Sequence, residues 1–257
     1  MLVTQKTAVV MSERTILRIS GSDARKFLQN LVSNDVKKLD HGMVYTALLT
    51  PQGKYLVDFF LVPDGNDILV DVATQQAGDL TKRLTMYKLR ADVAIAATDI
   101  TVSCGLGPVQ AGAFVDPRHA DMGWRYYGAP IETTQQIDWD AQRVALGIPE
   151  FGAELTSESY ILEMGFARLN GVDFRKGCYV GQEVTARMKH KTELRKGLAR
   201  VTFQGPVTCG QTLLSQGKAV GTVHTVSGQQ ALCYVRFDRI EGLGTETAQA
   251  QQIDPLI

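Results

Sequence analysis

Two stretches of the sequence place reactive side chains in settings that demand an explanation. In "YLVDFFLV", residues 55–62, strand alternation puts Leu56, Asp58, Phe60 and Val62 on one face and Tyr55, Val57, Phe59 and Leu61 on the other. Either face sets the Asp58 carboxylate among apolar neighbours. There it must be hydrogen-bonded, protonated or turned toward a ligand. Asp58 is thus a structural aspartate satisfied by backbone amides, or a polar handle in a pocket. In "FRKGCYVGQE", residues 174–183, Gly177 and Gly181 permit positive φ or close approach, and the following "QEVTARMKH" spaces Val184 and Met188 as a helix does. Cys178 therefore stands just before a helix N-terminus. Lys176 and the positive end of the helix dipole would both favour its thiolate, the reactive form. A cysteine hydrolase would also need a base, and His41, His119, His190 and His224 are distant in sequence and carry no recognisable signature. Cys178 is either a functional thiol or a small buried apolar residue.

The run "RMKHKTELRK" sets Arg187, Lys189, Lys191, Arg195 and Lys196 against the single acid Glu193. It lacks the aromatic residues that stack on bases, so it reads as a solvated basic face or a local anion site rather than a nucleic-acid surface. Neither G-x-x-x-x-G-K-[ST] nor G-x-G-x-x-G occurs, which argues against nucleotide and dinucleotide binding. Lysine plus arginine equals aspartate plus glutamate at 27 each, so no global field drives binding to nucleic acid or a membrane surface. Cys104, Cys178, Cys209 and Cys233 form no C-x-x-C pair, and no metal site is expected from them. Reduced thiols, an opening "MLVTQKTAVVMSERT" without the pattern of a secretory signal, and the lack of an apolar stretch near about 18 residues together imply a cytoplasmic protein.

The elements that must position these residues form an α+β pattern. "RTILRIS" reads as a strand, followed by a helix capped by Ser22 with Ala24, Phe27, Leu28 and Leu31 on its apolar face. "VYTALLTPQGKYLVDFFLV" has the form of a hairpin turning at Pro51–Lys54, with a further strand at "DILVDV". Thr74 is expected to cap a helix running to about Leu89, "AIAATDITVSCGLG" to be strand, and "DWDAQRVALG" to be a helix closed at Gly147. Beyond Lys196 short alternating runs divided by glycines suggest a small β-barrel. The expected division is an α+β region over 1–195, with two interleaved modules, a barrel over 196–250 and a tail over 251–257. The glutamine-rich stretch from Gly242 is expected to fray.

"KGCYVGQE", preceded by "GVDF" and followed by "VTARMKH", resembles the signature of the YgfZ family of folate-binding proteins. Lys176, Gly177, Cys178, Tyr179, Gly181, Gln182, Glu183 and Arg187 match it position for position. The resemblance extends through "GSDARKFLQNLVSNDV", "LLTPQGKYLVDFFLV", "DPRHADMGWR" and "ALGIPEFGAEL", which look like the larger superfamily containing the aminomethyltransferase of glycine cleavage. It implies α+β folate-binding modules around a central cleft or channel, plus a C-terminal β-barrel. It further implies a tetrahydrofolate-binding accessory protein that supports assembly or repair of iron–sulfur enzymes, tRNA-modifying ones included. Its partners would be folate and iron–sulfur client or assembly proteins. The alternative is a catalytic aminomethyltransferase, in which Asp58 would orient the folate nitrogen. By the same resemblance Asp58 and Glu163 fall where the aminomethyltransferases hold folate, and Asn34 lies in the matching "SND" of residues 33–35. Arg187 and the basic run would meet the glutamate tail, and Cys178 would be the thiol near the ligand. The sequence departs from the pattern at Ile161, where a proline usually precedes the glutamate, and around Lys191 and Thr192, where an arginine–glycine pair is common.

Overall fold

The computed structural model describes residues 8–131, 136–191 and 193–257, the side chain of Lys191 excepted. The first residues of the opening stretch and Thr192 thus lie outside the described residues. The chain forms two compact units, each assembled from three segments: residues 1–49, 57–137 and 170–180 in the first, and 50–56, 138–169 and 181–257 in the second.

The first unit carries β1 (Ala8–Val10), β2 (Arg14–Ser20), α1 (Ala24–Gln29), β3 (Val44–Leu49), β4 (Tyr55–Asp64, its first two residues in the second unit), β5 (Asp67–Ala73), α2 (Thr74–Lys88), β6 (Ala94–Ala97), β7 (Thr101–Gly105), β8 (Phe114–Val115) and β9 (Trp124–Gly128). Two sheets result, ordered β3-β4-β5-β2-β6 and β1-β7-β9-β8. Pairing is antiparallel from β4 through β5 and β2 to β6, and throughout the second sheet. The near-continuous apolar runs of β3 and β4 are buried on both faces. Amphipathic α2 packs on β2, β5 and β6 and buries Ala77, Leu80 and Leu84.

Several expectations are corrected here. Ser22 does not cap α1: Asp23 holds that position without a side-chain cap, and Ser22 bonds the Asp92 carboxylate through both its N–H and its hydroxyl. Thr74 is the first helical residue of α2 rather than its cap, and its hydroxyl meets that of Thr15. The end of the helix falls where expected, at Lys88, with Leu89 following at φ 45°. The run from Ala94 is two strands in different sheets, parted where the Thr98 hydroxyl and N–H both bond Ile16 O.

The second unit carries α3 (Trp139–Leu146), α4 (Gln182–Lys191), β10 (Lys196–Gln204), β11 (Thr212–Ser215), β12 (Lys218–Ser227), β13 (Gln230–Arg236) and β14 (Gln249–Pro255). Asp138 caps α3 by accepting from Ala141 N, and Gly147, at φ 68°, ends it in the left-handed conformation. The helix packs on β12 and β13. The strands order as β11-β12-β13-β10-β14, and Gly244 bridges both Leu214 of β11 and Gln249 of β14, curling the sheet into a barrel around Val201, Phe203, Val223 and Val235. The polar tail is therefore not frayed: residues 249–255 pair along β10. Among the described residues no helix is long and apolar enough to cross a membrane.

Candidate functional site

In the first unit the Asp58 carboxylate is buried on β4 and accepts a hydrogen bond from the Tyr45 hydroxyl at 3.0 Å. Tyr45 packs against Phe60, and the Arg118 guanidinium lies over both rings, 5.5 and 4.8 Å from their centroids. Behind them is an ion network that sequence reasoning did not identify. Asp71 is fully buried and accepts from Arg14 Nε at 2.6 Å, Arg125 Nη1 at 3.0 Å and the Tyr127 hydroxyl at 2.8 Å. Asp116 accepts from Arg118 Nη2 at 2.7 Å and Arg125 Nε at 3.2 Å. Burial opposes ionisation of both carboxyls, but the guanidinia outweigh it and hold them below the usual range. The alternation that flagged Asp58 flags Asp71 in "DILVDV" equally, and its arginine partners come from "RTILRIS" (Arg14) and "DPRHADMGWR" (Arg125).

The signature stretch divides between the units after Val180. In the first, the Lys176 ammonium is drawn inside, donating to Gln29 O at 2.7 Å and to Val32 O, with the Tyr179 ring 4.9 Å away. Burial lowers it to about 8 despite nearby Asp35 and Asp173. Its charge therefore serves the carbonyls at the end of α1, not the thiol of Cys178 as expected from adjacency. Cys178 and Gly177 are exposed, while Tyr179 is buried. Asn34 is a clamp: its amide donates to Tyr45 O and Asn170 O, and its oxygen accepts from Asp35 N and Lys38 Nζ. The adjacent Ser33 hydroxyl donates to Gly171 O.

In the second unit Gly181 takes φ 82°, and its carbonyl accepts from Thr185 N–H and hydroxyl as α4 begins at Gln182 and Glu183. Val184 of α4 sits on the 50–54 turn, where a Cβ on Gly53 would lie 2.8 Å from its Cβ. Arg187 is exposed on α4.

Glu163 belongs to the turns over 161–170, and its carboxylate is buried. Oε2 accepts from the Tyr234 hydroxyl at 2.6 Å, and Oε1 is 3.9 Å from Lys196 Nζ. Burial and the Glu163 charge push the Tyr234 phenol above its ordinary value. Glu163 lines a pocket of about 530 Å³ with Met188, Glu193, Leu194, Arg195, Lys196 and Arg236, a volume in the range of small-molecule sites. Such a pocket presents two carboxylates, the buried Glu163 and Glu193, among three cations and two apolar side chains, which suits a ligand carrying N–H donors at one end and anionic groups at another.

Residues 195–255 match the model of the CAF17 C-terminal beta-barrel domain. The human protein named iron-sulfur cluster assembly factor IBA57, mitochondrial, is 30% identical over 274 residues, covering 89% of this chain and 77% of the human one. The chain belongs to the IBA57 family. A homologue from Mycosarcoma maydis with the same assembly-factor name is 32% identical over 74% of the chain. The chain spans about half the length of that relative and of the one from Neurospora crassa, 55% and 51%. Outside the family's own sequences, the crystal structure of glycine cleavage system aminomethyltransferase T from Bartonella henselae superposes with a TM-score of 0.79, covering 99% of this chain and 87% of that one at 15% identity, which establishes the fold alone.

Proposed function

We propose that the chain is a YgfZ-type accessory protein that supports assembly or repair of iron–sulfur enzymes, including those that modify tRNA, and that it binds tetrahydrofolate. Family membership carries the first half of this reading. The buried Glu163 carboxylate, directed into a pocket of small-molecule size, supports the second. Glu163 meets the N–H edge of the pteridine, and a role for Asp58 in folate binding rests on the family resemblance alone. The glutamate tail meets the basic run, with Arg195 and Lys196 in the pocket wall and Arg187 outside it. Asn34 contributes by holding its loop, since its amide and oxygen already have backbone and lysine partners.

Cys178 is the exposed thiol of the signature. Iron–sulfur clusters take about four thiolate ligands, so this residue supplies one ligand at most and a client or assembly protein the rest. The site of action is an aqueous, reducing compartment, the cytoplasm, with neither nucleic acid nor membrane as a stable partner. In cells lacking the protein, iron–sulfur enzyme activity should fall and be restored by the wild type but not by Cys178→Ser; restoration by the serine variant sinks the role of the thiol. Saturable binding of tetrahydrofolate, weakened in Asp58→Asn and Glu163→Gln, is the corresponding test of the ligand. An aminomethyl-lipoyl carrier offered as substrate should release no ammonia.

A further inference from the structure

Glu163 stands on turns rather than on a regular element, so its direction comes from what grips it, and each grip belongs to the barrel. The main chain is held by β10: Leu198 N–H donates to Glu163 O at 2.7 Å, and the absent side chain of Gly197 allows the approach, since a Cβ there would lie 2.6 Å from that oxygen. The carboxylate is held by β13 through Tyr234. Leu198 and Tyr234 are directly paired across the two strands, so one rung of the barrel holds both the backbone and the side chain of the glutamate. On the next rung of that face, Lys196 pairs with Arg236, and both line the pocket. Lys196 Nζ lies beside the Tyr234 ring, 5.6 Å from its centroid, and 3.9 Å from the free carboxylate oxygen, beyond hydrogen-bond reach.

We propose that Tyr234 is a positioning residue for ligand binding: its hydroxyl anchors Oε2 of Glu163 and so keeps the carboxylate from closing onto Lys196, leaving Oε1 available to the N–H donors of a 2-amino-4-oxo heterocycle in the pocket. This rests on the folate reading above. Without the phenol hydroxyl, the ammonium is the nearest charged donor, and a carboxylate paired with it is withdrawn from the ligand. The barrel is thereby part of the recognition site.

The test is a titration of the full chain with two probes, tetrahydrofolate and 6,7-dimethylpterin, which shares the amidine edge but has no glutamate tail. Losing a hydrogen bond to a charged group should weaken both probes about tenfold in Tyr234→Phe, measured at a temperature where the variant, destabilised by the same lost bond, is still fully folded. In a Glu163→Gln background the same substitution should add less than about twofold, because the partner it positions is gone. Adding Lys196→Met to Tyr234→Phe should recover most of the pterin affinity, a rescue that a purely structural tyrosine would not give. If wild type binds both probes and Tyr234→Phe binds them equally well, or Lys196→Met gives no recovery, the positioning role is overturned while the folate reading stands. Binding of the pterin without tetrahydrofolate removes the folate reading and leaves Tyr234 to be judged on the pterin variants. Binding of neither overturns both.

Discussion

Lys176→Met should abolish a rise in stability with pH that the wild type gains from one buried ammonium. In the folded protein burial lowers Lys176 to about 8, against 10.5 for the unperturbed side chain. Below pH 8 both folded and unfolded chains hold the proton, and the folded state bears the full cost of burying the charge. Between 8 and 10.5 the unfolded chain keeps a proton that the folded one has lost, so stability rises with pH, and above 10.5 this group adds nothing more. The gap corresponds to roughly 3 kcal/mol in all, most of which falls between pH 7 and pH 10. Methionine removes that gradient and also leaves Gln29 O and Val32 O without their donor, at roughly 1–3 kcal/mol each. The two effects oppose each other at neutral pH, so the variant is less stable there by at most a few kcal/mol, and the deficit should widen by roughly 2–3 kcal/mol by pH 10. Urea titrations at half-unit steps measure this, with Trp139→Phe as the common background so that fluorescence reports the buried Trp124, in the same unit as Lys176. Groups that titrate in both proteins cancel in the difference. A difference that stays level or narrows as pH rises refutes the reasoning.

Asp71→Asn should cost about 3–5 kcal/mol, because it leaves the Arg14 and Arg125 guanidinia facing a neutral amide in a buried site; thermal unfolding reads this as a large drop in melting temperature. Iodoacetamide followed by mass mapping should modify Cys178 and Cys209, which are exposed, and spare Cys104 and Cys233, which are buried, the latter with its thiol pushed up to about 12 by burial. Gly147→Ala should destabilise by about 1–2 kcal/mol, since the residue takes φ 68° and a Cβ would meet Leu256 Cδ1 at 2.6 Å; denaturant midpoints check it.

What was legible in the sequence followed from local period and punctuation. The strand alternation around Asp58, the hairpin at residues 50–54, the left-handed stop at Gly147 and the glycine-divided barrel strands all depend on residues close in the chain. What was not legible depends on register and reach. The arginines that neutralise Asp71 arrive from 57 and 54 positions away, through sheet pairing that no local pattern encodes. Lys176 sits two residues from Cys178, yet its long stem carries the charge to carbonyls 147 and 144 positions back. Glu163 lies in turns without periodicity, so only the family resemblance singled it out. The strand over 249–255 is polar because its place in the barrel rests on backbone pairing with β10, which leaves no alternation to read.

The interleaving of the two units limits how this protein can be dissected. The chain passes from one unit to the other five times, after residues 49, 56, 137, 169 and 180. No single cut, and no contiguous fragment, separates one body from the other. Even the barrel, whose strands are continuous in sequence from Lys196 to Pro255, grips a glutamate that lies upstream of it. A truncation series of the kind used to parcel activities among domains will therefore report misfolding wherever it stops. The last crossing falls inside the signature, so chimaeras joined at residue 180 would take the thiol loop from one parent and the helix after it from another. Attribution of function in this chain has to come from point substitutions.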